Sequence, residues 1–158
     1  MDSGTRLANH AWEALLRAHA ALMKEFAAEE IWRGLSMREY DVLYTLSKCP
    51  KPIRLGELHR HVLLSQPALS RMVDRLVARG LVRRAPDPGD GRGVLLSLTE
   101  AGRAEQRRVG RLHARSVAAA MTRSLTPDQL TQLESLCARL ADRPTAPETL
   151  TNREDHGL

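Results

Sequence analysis

The sequence predicts a mainly α-helical fold with one small β-hairpin, and three observations carry that prediction. Most of the chain places apolar residues at steps of three and four, the period of a helix with one buried face. Only one Phe, two Tyr and two Trp occur in 158 residues, so aliphatic side chains must build the core, a supply that suits helices better than a β-sandwich. Two short runs read as strands, Leu81 to Ala85 and Val94 to Leu98, and the segment Pro86 to Gly93 between them is dense in turn formers. The length supports one folding unit with a real core and is too short for two independent ones.

Taken in order, the first helix is expected from Leu7 to Ile31, on the spacing of Trp12, Leu15, Leu16, Leu22, Met23 and Phe26. Gly34 breaks the run. Ser36 followed by Glu39 is a capping box that opens a second helix through Tyr40, Leu43 and Leu46, closed by Pro50 and Pro52. Leu55 to Val62 suggests a short third helix, and Leu63 to Gln66 a turn. Ser65 can cap the next helix with its side-chain oxygen, and Pro67 suits a first turn, where its missing N–H has no intrahelical partner to lose. That helix, about Ser65 to Arg79, buries Leu69, Met72, Val73, Leu76 and Val77 and turns Ser70, Arg71, Asp74 and Arg75 outward. Gly80 ends it, and the hairpin follows directly. Thr99 caps a long helix from about Glu100 to Arg123, and Thr126 to Gln129 caps a last one bearing Leu130, Leu133, Leu136, Cys137 and Leu140. From Arg143 onward, proline and charge without apolar periodicity predict a disordered tail.

Charge narrows the partners. The 24 Lys and Arg, nearly all Arg, against 19 Asp and Glu give a net charge of +5, and the pI of about 9.9 suits a polyanion. Two cysteines, Cys49 and Cys137, are too few and too distant for a disulfide scaffold or a Cys-x-x-Cys metal site. No basic stretch followed by an apolar core opens the chain and no apolar run approaches a membrane span, so a cytoplasmic protein without membrane partners is expected. No phosphate loop, nucleophile elbow or paired-carboxylate motif is present, so neither an enzyme nor a cofactor is expected.

Helix, short helix, turn, amphipathic helix and hairpin is the order of a winged helix-turn-helix, whose second helix enters the major groove of DNA. That groove is about 12 Å wide and admits one helix, so outward side chains reach base edges. Arg71 can donate twice to guanine or hold a phosphate, Gln66 can pair twice with adenine, and Ser70 shares their face. Ser65, Gln66 and Pro67 open the helix where its dipole favours a phosphate. Arg75, Arg54 and Arg84 are candidate phosphate contacts, with Arg83 an alternative to Arg84, and Arg92 on its glycine-flanked turn has the reach for a minor groove. Asp74 is expected to pair with a neighbouring Arg of its own helix.

The run Leu64 to Leu76, followed by Arg79-Gly80-Leu81-Val82-Arg83-Arg84, resembles the MarR family of bacterial regulators. Asp87-Pro88-Gly89-Asp90-Gly91-Arg92 is similar to that family's wing tip, and Leu98-Thr99-Glu100-Ala101-Gly102-Arg103 to the start of its fifth helix. The resemblance spans roughly Leu7 to Leu140, with one departure: Gly91 stands where the family usually carries the first of two adjacent Arg. It implies that Asp90 and Arg92 shape the wing and reach the minor groove, and that the protein is a homodimeric repressor on a pseudo-palindromic operator. Residues 1–35 and 99–142 are then dimerisation helices, 36–98 the winged DNA-binding region and 143–158 the tail; the wide apolar stripes of the terminal helices point the same way.

Family precedent also implies a small aromatic or phenolic effector between the dimer helices and the winged region, for which Trp12, His19, Trp32, Tyr40 and Tyr44 are candidate linings, each equally serviceable as core. His59 and His61 are two apart and make a poor metal pair, while His10, His19 and His113 read as solvated. Cys49 reads as a structural thiol, since the reactive cysteine of some relatives sits in the first helix. A winged module that binds a protein partner, or a metal- or redox-sensing regulator, are the alternative readings.

Overall fold

A computed structural model describes residues 2–142, and the expected tail lies outside them. The elements run α1 (Ser3–Ala27), a 3-10 turn (Glu30–Trp32), α2 (Met37–Lys48), β1 (Ile53–Arg54), α3 (Leu55–His59), α4 (Gln66–Ala78), β2 (Val82–Asp87), β3 (Asp90–Leu98), α5 (Glu100–Thr122) and α6 (Pro127–Ala141). The fold is therefore mainly helical with a small antiparallel sheet, in the order of a winged helix-turn-helix. The chain divides into two compact units, one through Ala120 and one from Met121.

In the first unit, the core gathers Val42, Leu43 and Leu46 from α2, Leu58 from α3, Leu69, Met72, Val73 and Leu76 from α4, and Leu96 and Leu98 from β3. These aliphatic side chains recur at helical spacing on α2 and α4, and their burial from water holds the helix pair against the sheet. Several local signals act as expected. Ser36 Oγ accepts the Glu39 N–H at 3.1 Å while the Glu39 carboxylate accepts the Ser36 N–H at 2.9 Å, completing the capping box. Ser65 Oγ accepts the Ala68 N–H at 3.4 Å, and Gly80 takes a left-handed φ of +70° beyond α4.

Thr99 does more than cap α5. Its Oγ1 accepts the Gly102 N–H at 2.9 Å and donates to the Gly80 carbonyl at 2.6 Å. A Cβ at Gly102 would lie 1.9 Å from the Leu81 carbonyl oxygen, so only glycine lets α5 start against the α4–β2 turn.

The boundaries differ from the sequence-based expectation in four places. The first helix begins at Ser3 and ends at Ala27, with Ile31 in the separate 3-10 turn. The third ends at His59, and Gln66 already belongs to α4. The hairpin is longer than expected: β2 and β3 pair from Val82 with Leu98 out to Asp87 with Asp90, so only Pro88 and Gly89 remain as the turn. Finally, β1 was not expected. It pairs Ile53 with Leu96 and Arg54 with Leu95, giving the sheet order β1-β3-β2 and tying the helical pair to the wing.

Among the described residues, the second unit holds the end of α5, a short turn and α6. Thr126 Oγ1 accepts the Gln129 N–H at 3.3 Å and Gln129 Oε1 accepts the Thr126 N–H at 2.9 Å. Among the described residues, no helix is long and apolar enough to cross a membrane, and no group of His, Cys, Asp and Glu could hold a metal ion.

Candidate nucleic-acid interface

The site is built on α4. Its inward residues Leu69, Met72, Val73 and Leu76 are anchored in the core, which fixes the rotation of the helix and so the direction of the opposite face. On that face Gln66, Pro67, Arg71, Asp74 and Arg75 are exposed and Ser70 is half-buried, as the spacing predicts. The Arg71 guanidinium has no acidic partner among the described residues, which leaves it free to extend.

Four other arginines of this region are held by carboxylates. Arg75 Nε donates to Glu39 Oε1 at 3.5 Å, and its Nη1 donates to the Arg71 carbonyl at 3.4 Å. Arg79 Nη1 lies 3.6 Å from Glu39 Oε2 and donates to the Gly34 carbonyl at 3.0 Å. Arg84 on β2 meets Asp74 on α4 at 2.6 Å. The last pair corrects the expectation for Asp74: its partner is the wing strand, not an arginine of its own helix, because the β2 backbone brings Arg84 closer than helical spacing brings Arg71 or Arg75.

Arg54 holds the far side of the wing. Its Nε donates to Asp87 Oδ2 at 2.8 Å and a terminal nitrogen lies 3.6 Å from Asp90. Asp87 Oδ1 also accepts the Gly89 N–H at 2.9 Å. The Gly89 N–H and the Arg54 guanidinium together hold the Asp87 carboxyl below its ordinary value, and the same pairing raises Arg54. Asp90 Oδ1 accepts the Arg92 N–H at 3.1 Å, shaping the wing tip. Arg92 and Arg83 are exposed, and their guanidinium groups have no acidic partner among the described residues.

The candidate effector residues do not converge on one place. Trp12 is 57% exposed on α1, whereas Trp32 is buried with its Nε1 donating to the Phe26 carbonyl at 2.8 Å. Tyr40 and Tyr44, ring centroids 6.1 Å apart, line an open cleft of about 790 Å³ between α2 and α5, bordered by Gln106, Arg107, Arg111 and His113. Burial raises the Tyr40 phenol, partly offset by its hydrogen bond to Gln106. His19 borders a different cavity of about 380 Å³, shared with Tyr44 and the α3–α4 turn.

Three features escaped sequence reasoning. His113 is half-buried, not solvated: its ring lies 5.2 Å from Phe26, 5.3 Å from Trp32 and 5.7 Å from Tyr40. Glu39 was legible as a cap but not as the partner of two arginines, and Asp87 read as a turn former, not as the clasp of Arg54. Cys49 is half-buried, with Sγ donating to the Thr45 carbonyl at 3.3 Å, and burial, helped by the Glu57 charge, raises its thiol.

Comparison with known proteins gives this geometry a family. Residues 33–93 match the model of the MarR family. The multiple antibiotic resistance protein MarR of Escherichia coli is 34% identical over 106 residues, covering 67% of this chain and 73% of that protein. Two crystal structures from Streptomyces coelicolor are similar over most of both chains. Sco3205, a MarR family transcriptional regulator in complex with DNA, has a TM-score of 0.76 at 27% identity and covers 92% of this chain and 91% of its own. The PcaV transcriptional regulator in complex with its natural ligand has a TM-score of 0.65 at 30% identity and covers 90% and 96%. On the order of its elements, the α4 and wing geometry and these likenesses, the chain belongs to the MarR family of transcriptional regulators.

Proposed function

We propose that this regulator works as a homodimeric repressor that reads a pseudo-palindromic stretch of double-stranded DNA. The observation that carries the reading is the pair of unneutralised arginines on the two projecting elements, Arg71 on α4 and Arg92 at the wing tip. Arg71, with Gln66 and Ser70, is assigned to base edges in the major groove. Ser65 and Pro67 bring the α4 N-terminus to a phosphate. Arg92 is assigned to the adjacent minor groove, while Arg54, Arg84 and Asp90 keep the wing in place for it. The complex of Sco3205 with DNA supports a DNA partner.

The dimer is proposed from unpartnered apolar surface. On α1, Leu7, Trp12, Leu15 and Leu16 are exposed, and on α6 so are Leu136 and Leu140, which suits residues 1–35 and 99–142 to pairing two copies around the reading region 36–98. Two reading helices related by a two-fold axis meet half-sites about one DNA turn apart, and repression follows from occupancy. The protein is assigned no enzymatic activity and a cytoplasmic place of work. Effector release is proposed through the Tyr40–Tyr44 cleft, a reading that the ligand-bound PcaV structure supports. An effector acts there only by binding the DNA-incompetent arrangement more tightly than the competent one.

A mobility-shift titration on the DNA upstream of the protein's own gene tests the proposal. The logarithm of affinity should fall linearly with the logarithm of salt, with a slope of about −0.9 per phosphate neutralised. Arg71→Ala or Arg92→Ala should each weaken binding by roughly 1–3 kcal/mol per lost contact. Salt-independent binding, or binding indifferent to both variants, would contradict it and favour a protein partner.

A further inference from the structure

Among the described residues, Glu39 is the buried charged side chain, 7% exposed, and both of its carboxylate oxygens are committed. Oε2 accepts the Ser36 N–H at 2.9 Å, which fixes the carboxylate at the start of α2, and lies 3.6 Å from Arg79 Nη1. Oε1 receives Arg75 Nε at 3.5 Å, its single donor among the described residues. Arg71, Arg75 and Arg79 are spaced four apart and so stand in a row along one edge of α4. Of that row, Glu39 takes two. Arg75 is also folded back along the helix, since its Nη1 donates to the Arg71 carbonyl at 3.4 Å.

An unpaired row of three arginines would hold any DNA, because phosphate contacts supply affinity without carrying sequence information. We propose that Glu39 is a specificity-determining positioning residue: it engages the guanidinium groups of Arg75 and Arg79 in ion pairs, their side chains still 56% and 38% exposed, so that Arg71 is the cation of the row with no carboxylate to hold it back from the groove. The inference rests on α4 being the DNA-reading element. Arg75 then serves to orient α4 against α2 and does not grip phosphate. Loss of the Glu39 charge raises affinity for DNA of any sequence and lowers the preference for the operator.

Glu39→Gln separates charge from capping, since Gln at the same position also completes a capping box. Affinity of the full-length protein for its upstream duplex and for random duplex of equal length is measured across a salt series, with thermal melting as the fold control. The expected result is a cooperative melt with a lowered midpoint, since a buried carboxylate paired with two arginines is lost, a salt slope on random duplex steeper by about 2 to 4 for two to four released arginines per dimer, and a reduced operator-to-random ratio. A slope steeper by about 2 makes the affinity lost between about 50 and 200 mM salt roughly fifteen-fold larger. Adding Arg75→Gln to Glu39→Gln should restore part of the native slope.

Equal slopes and equal ratios in Glu39→Gln and the native protein overturn the proposal. Should Glu39→Gln not fold, Arg75→Gln alone decides. An unchanged slope supports the assignment, and a slope shallower by about 2 makes Arg75 a phosphate contact and overturns it. Salt-dependent binding by the native protein combined with an inert Glu39→Gln removes this inference only, whereas absence of DNA binding in the native protein removes the reading it rests on and the inference with it.

Discussion

Gly102→Ala is a small change with a large predicted consequence. The added methyl would sit 1.9 Å from the Leu81 carbonyl oxygen and 2.9 Å from its carbon, both backbone atoms, where ordinary contact begins near 3.4 Å. Leu81 cannot easily yield: its N–H donates to the Leu76 carbonyl at 2.9 Å, and its own carbonyl accepts the Thr99 N–H at 3.1 Å. A displacement of about 1.5 Å therefore breaks the Leu81–Thr99 bond and disturbs the Thr99 cap, which costs about 1 kcal/mol for the bond and about 1–2 kcal/mol for the cap. Helix propensity returns less than about 1 kcal/mol at a first turn. The net loss is about 2 kcal/mol, a fall in melting temperature of about 4–8 °C for a chain of this size. Thermal melting followed by circular dichroism reads it directly. Gly56→Ala in α3, whose added Cβ meets nothing within 4 Å, is the control and should be neutral or stabilising by up to about 1 kcal/mol. Equal melting temperatures for the two variants would refute the close-approach reasoning.

Two further outcomes follow from the charges and thiols. The folded-state Asp87 carboxyl is depressed, so the Arg54–Asp87 clasp contributes fully above the ordinary carboxylate value and is lost as pH falls through the depressed one. Hydrogen exchange at the Gly89 amide, protected at neutral pH relative to an Asp87→Asn variant, should lose that difference in acid; a difference that persists there would separate the clasp from ionisation. Cys49 is half-buried with its thiol raised, so iodoacetamide at pH 8 should label it more slowly than free glutathione. Labelling of Cys49 as fast as the free thiol would revive a redox role for it.

The sequence displayed what is local. Ser36 with Glu39, Ser65 with Ala68, and Thr126 with Gln129 each place a donor or acceptor within three residues of its partner, so the helix starts were readable from spacing. What depends on distant partners was hidden. β1 has two residues beside Pro52, too few to show a strand period, and exists because Leu95 and Leu96 pair with it. The residues Pro86 to Gly93 read as loop because proline, glycine and aspartate usually are, yet Asp87 and Asp90 spend their side chains on the Gly89 and Arg92 amides and let the ladder run to the tip. α1 stops at Ala27 without a glycine or proline to mark the end; Glu30, Ile31 and Trp32 leave the helix axis and Trp32 enters the core. The candidate DNA face was legible as a row of outward residues, but which arginines are held by Glu39, Asp74 and Asp87 required the fold.

Hydroxyl-radical footprinting of the native protein on a selected operator tests the central claim, that α4 and the wing of two copies read one DNA site. Two protected half-sites on one face of the duplex, centred about 10 base pairs apart, with adjacent minor-groove protection that disappears in Arg92→Ala, are the predicted result. A single protected segment, or protection that Arg71→Ala and Arg92→Ala both leave intact, would contradict it.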